Sequence, residues 1–226
     1  MLESFMRYWP EEIDLTVYAE DCVYETLDVI RKFEMRINRV RVLPTDWDEL
    51  RKFREVFQAA HAETTDYRYN APKFAAKGWA IASLETCNDY CFWLDADLIT
   101  TAPVTEDFLR SLFPGKTYLA FIGRDGLQRP YTETGFIGFN GHSLWHQPFM
   151  RYFLNVWRSG RIVELPEWHD CYALDEARRH FQLPENDLNV AREFDHPFCQ
   201  TVLASCMDHL KGPRKALEAS PEMEDV

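Results

Sequence analysis

Tyr90-Cys91-Phe92-Trp93-Leu94-Asp95-Ala96-Asp97 decides how the rest of this sequence is read. The apolar run 90–94 is too short for a core helix and rich in aromatic side chains, so it is predicted to be a buried central strand ending at Asp95. Two carboxylates follow where the strand gives way to a loop. In open α/β sheets ligands collect beyond the carboxyl ends of strands, so Asp95 and Asp97 are placed to hold a hard divalent cation. Asp-x-Asp also occurs in surface turns and helix caps, and the strand in front of it is what gives it weight.

Working outward, residues 2–9 carry helical spacing (Leu2, Phe5, Met6, Trp9) that stops at Pro10, and 13–20 (IDLTVYAE) alternates like a strand. RVRVLP at 39–44 reads as another strand. Asp46 is positioned to cap a helix whose Trp47, Leu50, Phe53, Val56 and Ala60 recur every three or four residues. A helix over 72–87 has Pro72 in its first turn, with Lys73 and Lys77 sharing a face. Strands at 117–122 (TYLAFI) and 136–139 (FIGF) and helices at 148–158 and 170–181 complete an α/β architecture, a mixed sheet flanked by helices. With no internal repeat and no Gly/Ser linker, 1–215 is expected to be one domain. The acidic tail 216–226, ALEASPEMEDV, is expected to be frayed.

Composition limits the partners. Lys plus Arg number 25 and Asp plus Glu 37, and the resulting charge of −12 opposes any broad footprint for nucleic acid or anionic lipid. An anionic ligand therefore needs local cations. No stretch approaches eighteen uncharged apolar residues, so no integral membrane segment is expected. The six cysteines form no C-x-x-C pair and read as free thiols in a reducing compartment. MLESFMRYWPEE carries acids and no apolar signal core, which makes the expected location cytoplasmic.

His209-Leu210-Lys211-Gly212-Pro213-Arg214-Lys215 supplies such cations. Its H-x-x-G-x-x-K spacing offers an imidazole for a metal, a glycine that lets backbone approach a phosphate, and a lysine as a point charge. A C-terminal helix ending in His and Lys and stopped by Gly-Pro would look the same. Glu133, just before the 136–139 strand, is either a carboxylate that serves the site or a solvated turn residue. Asp170 is either a helix N-cap or a carboxylate facing the substrate. Lys77 stands either beside a diphosphate or the acids, or on the surface. Phosphatases of the haloacid-dehalogenase type also use Asp-x-Asp after a strand, but they want Thr or Val where Ile99 stands.

FWLDADLITTAPV (92–104) resembles the strand, Asp-x-Asp and following segment of GT-A fold nucleotide-sugar glycosyltransferases, a Rossmann-like nucleotide-diphospho-sugar transferase fold. HLKGPRK is similar to the H-x-x-G-x-x-K motif of the glycogenin-like family eight, with Ala216-Leu217 where Pro-Trp usually follows. KFAAKGWAI, YTETGFIGFN, EWHDCYALDEAR and HPFCQTVLASCMDHLKGPRK resemble bacterial and phage glycosyltransferases over most of the chain. The resemblance implies that Asp95, Asp97 and His209 ligate Mn2+ or Mg2+. It implies that Lys215, with Gly212 and Lys77, contacts the diphosphate of a nucleotide-sugar donor, and that Asp170 and Glu133 orient the sugar and a glycan, lipid or protein acceptor. The Asp-Gln segment of family eight, a family that retains anomeric configuration, falls near His169-Asp170. A metal-dependent phosphohydrolase or nucleotidyltransferase, and an inactive GT-A remnant acting as a binding module, are the alternatives. In GT-A folds a central strand precedes the helix that begins here at Met1. A shortened chain with impaired donor affinity is therefore expected, and a missing segment that carried a targeting signal would change the expected location.

Overall fold

The computed structural model describes the chain except residues 21, 37–38, 46, 62–65, 128–129, 191–195, 213, 218 and 222–226. Asp46, expected as a helix cap, lies outside the described residues. The first half runs α1 (Leu2–Tyr8), β1 (Leu15–Ala19), α2 (Tyr24–Arg36), β2 (Val40–Pro44), α3 (Asp48–His61), α4 (Ala71–Ala82), β3 (Tyr90–Leu94), β4 (Leu98–Thr100) and α5 (Glu106–Ser111). It continues with β5 (Leu119–Ile122), β6 (Glu133–Asn140), α6 (His146–Arg158), α7 (Asp170–Phe181), β7 (Glu185–Asp187), β8 (Met207–His209) and the single turn α8 (Arg214–Leu217).

Four strands form a mixed sheet in the order β3-β6-β5-β7, with β6 antiparallel to both neighbours and β5 parallel to β7. Strand period two divides its side chains between two cores. Leu119, Phe121, Ile137 and Phe139 face a core shared with α4, α6 and α7, whereas Ala120, Ile122 and Phe136 face one shared with α1 and α5. The sheet is thus covered by helices on both faces, an α/β arrangement. α4 and α6 approach closely because Gly78 has no side chain; a Cβ there would stand 2.6 Å from the Trp157 ring.

Two small sheets lie outside this one. β1 and β2 pair in parallel, and β4 pairs antiparallel with β8. Neither is hydrogen-bonded to the four-stranded sheet among the described residues. The expectation of a buried central strand at 90–94 is therefore corrected. β3 forms, but at the edge of its sheet, and of its five residues only Cys91 is buried. β6 starts at Glu133, so Glu133 belongs to a strand and not to the preceding turn.

The helix α2 carries no apolar stripe that reaches a core, with Tyr24, Val29 and Met35 exposed. The six cysteines are free thiols, four of them buried. Within the tail expected to be frayed, Ser220 is buried and hydrogen-bonds the Asp208 carboxylate through its N–H (2.8 Å) and hydroxyl (2.7 Å). Among the described residues no helix is long and apolar enough to cross a membrane.

His146 opens α6 and is almost fully buried, bonded through Nε2 to the Leu84 carbonyl (2.8 Å) and through Nδ1 to the Tyr118 hydroxyl (3.3 Å). Burial pushes its imidazole below the ordinary value, against the opposing effect of the Leu84 carbonyl. The unfolded chain then binds the proton more readily. The stability from this neutral histidine is complete above about 6.5 and is lost as pH falls from there toward the folded value. Denaturant midpoints at pH 7.5 and 5.0 should fall further for the wild type than for His146→Gln; parallel losses would contradict the assignment.

Candidate functional site

The site is built where β3 ends. The Asp95 N–H continues the β3–β6 ladder onto the Gly135 carbonyl (2.9 Å), and the Leu98 N–H closes a tight turn on the Asp95 carbonyl (3.0 Å). That turn swings the chain into β4, where Leu98 stands opposite His209 on β8 and the Leu210 N–H donates to the Asp97 carbonyl (2.9 Å). Residues 112 apart in sequence are brought together in this way: His209 Nε2 lies 2.9 Å from Asp97 Oδ1 and 4.0 Å from Asp95 Oδ2. Asp95, Asp97 and His209 each offer a ligand atom within 4.8 Å of the others.

Room for the imidazole comes from a missing side chain. A methyl group on Gly135 would overlap the His209 ring, so β6 holds glycine where His209 lies against it. His209 is 1% exposed, and among the described residues its Nδ1 has no hydrogen-bond partner. Two carboxylate oxygens and an imidazole nitrogen form a donor set that suits Mn2+ and, with less regard for the nitrogen, Mg2+. Although partial burial works to raise it, the Asp97 carboxyl is held well below the usual carboxylate range by His209 and by Lys215. Lys215 Nζ stands 3.0 Å from Asp97 Oδ2 and is itself exposed. Gly212 adopts a left-handed backbone (φ 62°) that favours glycine. The helical alternative for this motif does not hold at His209, which is in a strand, while Arg214 and Lys215 begin the single turn α8.

Lys77 is not a surface lysine. Its Nζ contacts Asp95 Oδ1 (2.6 Å), Asp170 Oδ2 (2.9 Å), and the Thr134 carbonyl and hydroxyl (3.1 Å each). Burial alone would lower its pKa, but Asp170 and Asp95 hold it above the ordinary lysine value. Asp170 is buried, and it also accepts from the Thr134 hydroxyl. It is the first residue of α7, whose N-cap position belongs to His169, so the N-cap reading of Asp170 is corrected. Glu133 is equally buried, with Lys211 Nζ at 2.9 and 3.0 Å and Arg124 Nη1 at 3.3 Å. Burial would raise both carboxyls, yet these cations keep both below the ordinary range.

Asp170, Glu133, Asp95 and Lys77 line one cavity of about 570 Å³, with Tyr67 and Phe74 among its apolar surfaces. Lys215 and Asp97 line a separate depression on the far side of Asp95. Asp95, Asp97, Lys77, Glu133, Asp170 and Lys215 line one or other cavity, His209 lies behind them against Asp97 and Asp95, and Gly212 lines neither cavity. Sequence reading missed Lys211, Arg124 and Thr134, which hold the buried acids. His196 also lines the larger cavity. Lys211 was in view inside HLKGPRK, but only its pairing with Glu133 shows its role. His169, Asp170 and Cys171 form a second compact group of potential ligands. There Asp170 is engaged by Lys77 and Thr134, and His169 Nε2 lies 2.9 Å from Glu167, so a cation would have to compete with an ammonium group.

Gly135→Ala should displace the imidazole and lower Mn2+ affinity at least tenfold, as far as His209→Ala does, with far-ultraviolet dichroism unchanged. Titration calorimetry with Mn2+ checks this, and wild-type affinity in Gly135→Ala would refute the packing argument. Lys77→Met leaves Asp170 buried without its cation and should cost about 3–5 kcal/mol. Adding Asp170→Asn should recover part of that loss; a cost below about 1 kcal/mol in denaturant unfolding would return Lys77 to the surface class.

No protein-family model matches the sequence, and no curated protein matches it significantly.

Proposed function

We propose that this chain is a metal-dependent glycosyltransferase of the GT-A type, moving a sugar from a nucleotide-diphosphate donor to a glycan, lipid or protein acceptor. The observation that carries the reading is the convergence of Asp95, Asp97 and His209 beside a cavity holding the buried carboxylates Asp170 and Glu133. Asp95, Asp97 and His209 would hold Mn2+ or Mg2+. When bound, such a cation neutralises charge that develops on a leaving diphosphate.

The protein's own groups supply the rest. Lys215, exposed beside Asp97, is positioned to add a positive charge to the same diphosphate. Gly212 removes a side chain from the neighbouring loop. Asp170 and Glu133 are ionised and rigidly held, so they accept hydrogen bonds from sugar hydroxyls without reorganising. Lys77, locked between Asp95 and Asp170, couples the cation site to the sugar site and fixes the distance between them. Tyr67 and Phe74 supply the flat apolar surfaces on which sugar rings rest.

The test screens nucleotide sugars with Mn2+ by thermal stability and then follows products. One donor should stabilise the chain only with metal, by about 2.7 kcal/mol at a hundred times its Kd, and Asp95→Asn and His209→Ala should abolish the effect. Asp170→Asn should keep donor binding and lose at least a hundredfold in turnover. Release of inorganic phosphate with no glycoside formed would replace this reading with a phosphohydrolase. Metal-dependent binding without turnover on any acceptor would replace it with a binding module.

A further inference from the structure

The backbone of Asp95 is pinned on both sides, by its N–H on the Gly135 carbonyl (2.9 Å) and by the Leu98 N–H on its own carbonyl (3.0 Å). Its carboxylate is not pinned by the backbone, because the last torsion of an aspartate is broad and lets the two oxygens exchange places. In this protein the two oxygens nevertheless have different surroundings. Oδ1 accepts from the Trp93 indole N–H (2.8 Å) and from Lys77 Nζ (2.6 Å), whereas Oδ2 is turned to His209, 4.0 Å from its Nε2.

Strand alternation produces the contact with Trp93. Cys91, Trp93 and Asp95 are two residues apart and share the face of β3 that packs against α4, where Cys91 is buried with Ala75, Ala76 and Trp79 and Trp93 lies against that core. Lys77 descends from α4 onto the same face. Its Nζ stands over the indole, 5.8 Å from the ring centroid, and the Tyr18 ring of β1 stacks on the indole with 6.3 Å between centroids and 29° between planes. Trp93 thus touches both members of the Lys77–Asp95 pair, and ring packing sets the direction of its N–H. An indole nitrogen donates and does not accept. It can hold a carboxylate oxygen through a charge-assisted hydrogen bond without competing for a cation.

We infer that Trp93 is a positioning residue: with Lys77 it occupies Oδ1 of Asp95 and commits that carboxylate to ligate a divalent cation through Oδ2 alone. The inference rests on the reading of Asp95, Asp97 and His209 as a cation site and adds to it how one ligand is presented. In the octahedral sphere of Mg2+ or Mn2+, a carboxylate that takes one position instead of two leaves a further position for an oxygen of a bound anion. Groups that orient a metal ligand in this way are worth about tenfold to a hundredfold in metal affinity.

Two variants separate the N–H from the bulk of the ring. Trp93→Phe keeps a ring against Tyr18 and removes the donor, while Trp93→His keeps a ring N–H at the corresponding position and loses the outer ring. In titration calorimetry with Mn2+ at pH 8, where imidazole is neutral, Trp93→Phe should bind at least tenfold more weakly than the wild type. Trp93→His should stay within about threefold of the wild type, although it should be the less stable variant in denaturant unfolding; a merely structural role would make affinity follow stability. Wild-type affinity in Trp93→Phe, or an equal loss in both variants, would overturn the inference. If Asp95→Asn loses Mn2+ while Trp93→Phe keeps it, the inference alone falls; if Asp95→Asn also binds Mn2+ as the wild type does, the cation-site reading falls with it. A second measurement needs no folded variant at position 93. The Trp93 indole N–H should exchange with solvent at least tenfold more slowly in the wild type than in Asp95→Ala, and should stay as slow at saturating Mg2+. Faster exchange on adding Mg2+ would show Asp95 turning both oxygens to the cation and would overturn the inference.

Discussion

Three residues of antiparallel pairing, Leu98–Thr100 against Met207–His209, hold the candidate site together. This strand pairing brings the Asp-x-Asp turn to the H-x-x-G-x-x-K segment, and His209 and Lys215 then add side-chain contacts to Asp97. So short a ladder is not stable by itself, and its support comes from apolar packing. Leu98 and Met207 are buried with Leu203, Phe198 and Phe136 in the core shared with α1 and α5. The ladder is extended by the Thr101 N–H on the Cys206 carbonyl (2.8 Å) and the Leu210 N–H on the Asp97 carbonyl (2.9 Å). Asp208 faces away from the site and is satisfied by Ser220, so the last described part of the chain also fastens β8.

Charge in the site is arranged in local pairs, although the protein as a whole carries −12. Lys77 serves Asp95 and Asp170, Lys211 and Arg124 serve Glu133, and Lys215 and His209 serve Asp97. Removing charges from water is costly, and attraction between buried partners offsets this only when the geometry is fixed and the remaining lone pairs are satisfied. Thr134 does the second part, donating to Asp170 and accepting from Lys77. Such a network contributes less to stability than to keeping each carboxylate ionised and in one place, which a polar substrate would exploit.

The sequence was legible where local pattern and tertiary environment agree. α4, α6 and α7 combine helical periodicity with deep burial, and β5 and the 136–139 stretch of β6 are apolar runs buried on both faces. It was not legible where an element is made by its partner. Met-Asp-His at 207–209 has no strand pattern of its own and extends only because β4 lies beside it. α2 leaves Tyr24, Val29 and Met35 exposed and its Leu27, Ile30 and Phe33 only half-buried, so its apolar spacing is not matched by deep burial. Motif spacing singled out Asp95, Asp97 and His209, whose ligand atoms the fold brings within 4.8 Å of one another, because ligand chemistry is written in residue type. It did not place Lys77, since a lysine's separation from Asp95 along the chain says nothing of the face on which its helix packs. Nor did it find Lys211 and Arg124, which are defined only by the buried carboxylate between them.

The central claim is that Asp95, Asp97 and His209 form one cation site across the β4–β8 pairing. Pulsed electron paramagnetic resonance of the Mn2+-loaded chain reads it most directly, because a nitrogen nucleus bonded to the metal modulates the spin echo. The account predicts coupling to one imidazole nitrogen that disappears in His209→Gln and persists in His196→Gln. Mn2+ with no nitrogen coupling, or with coupling that survives in His209→Gln, would contradict it.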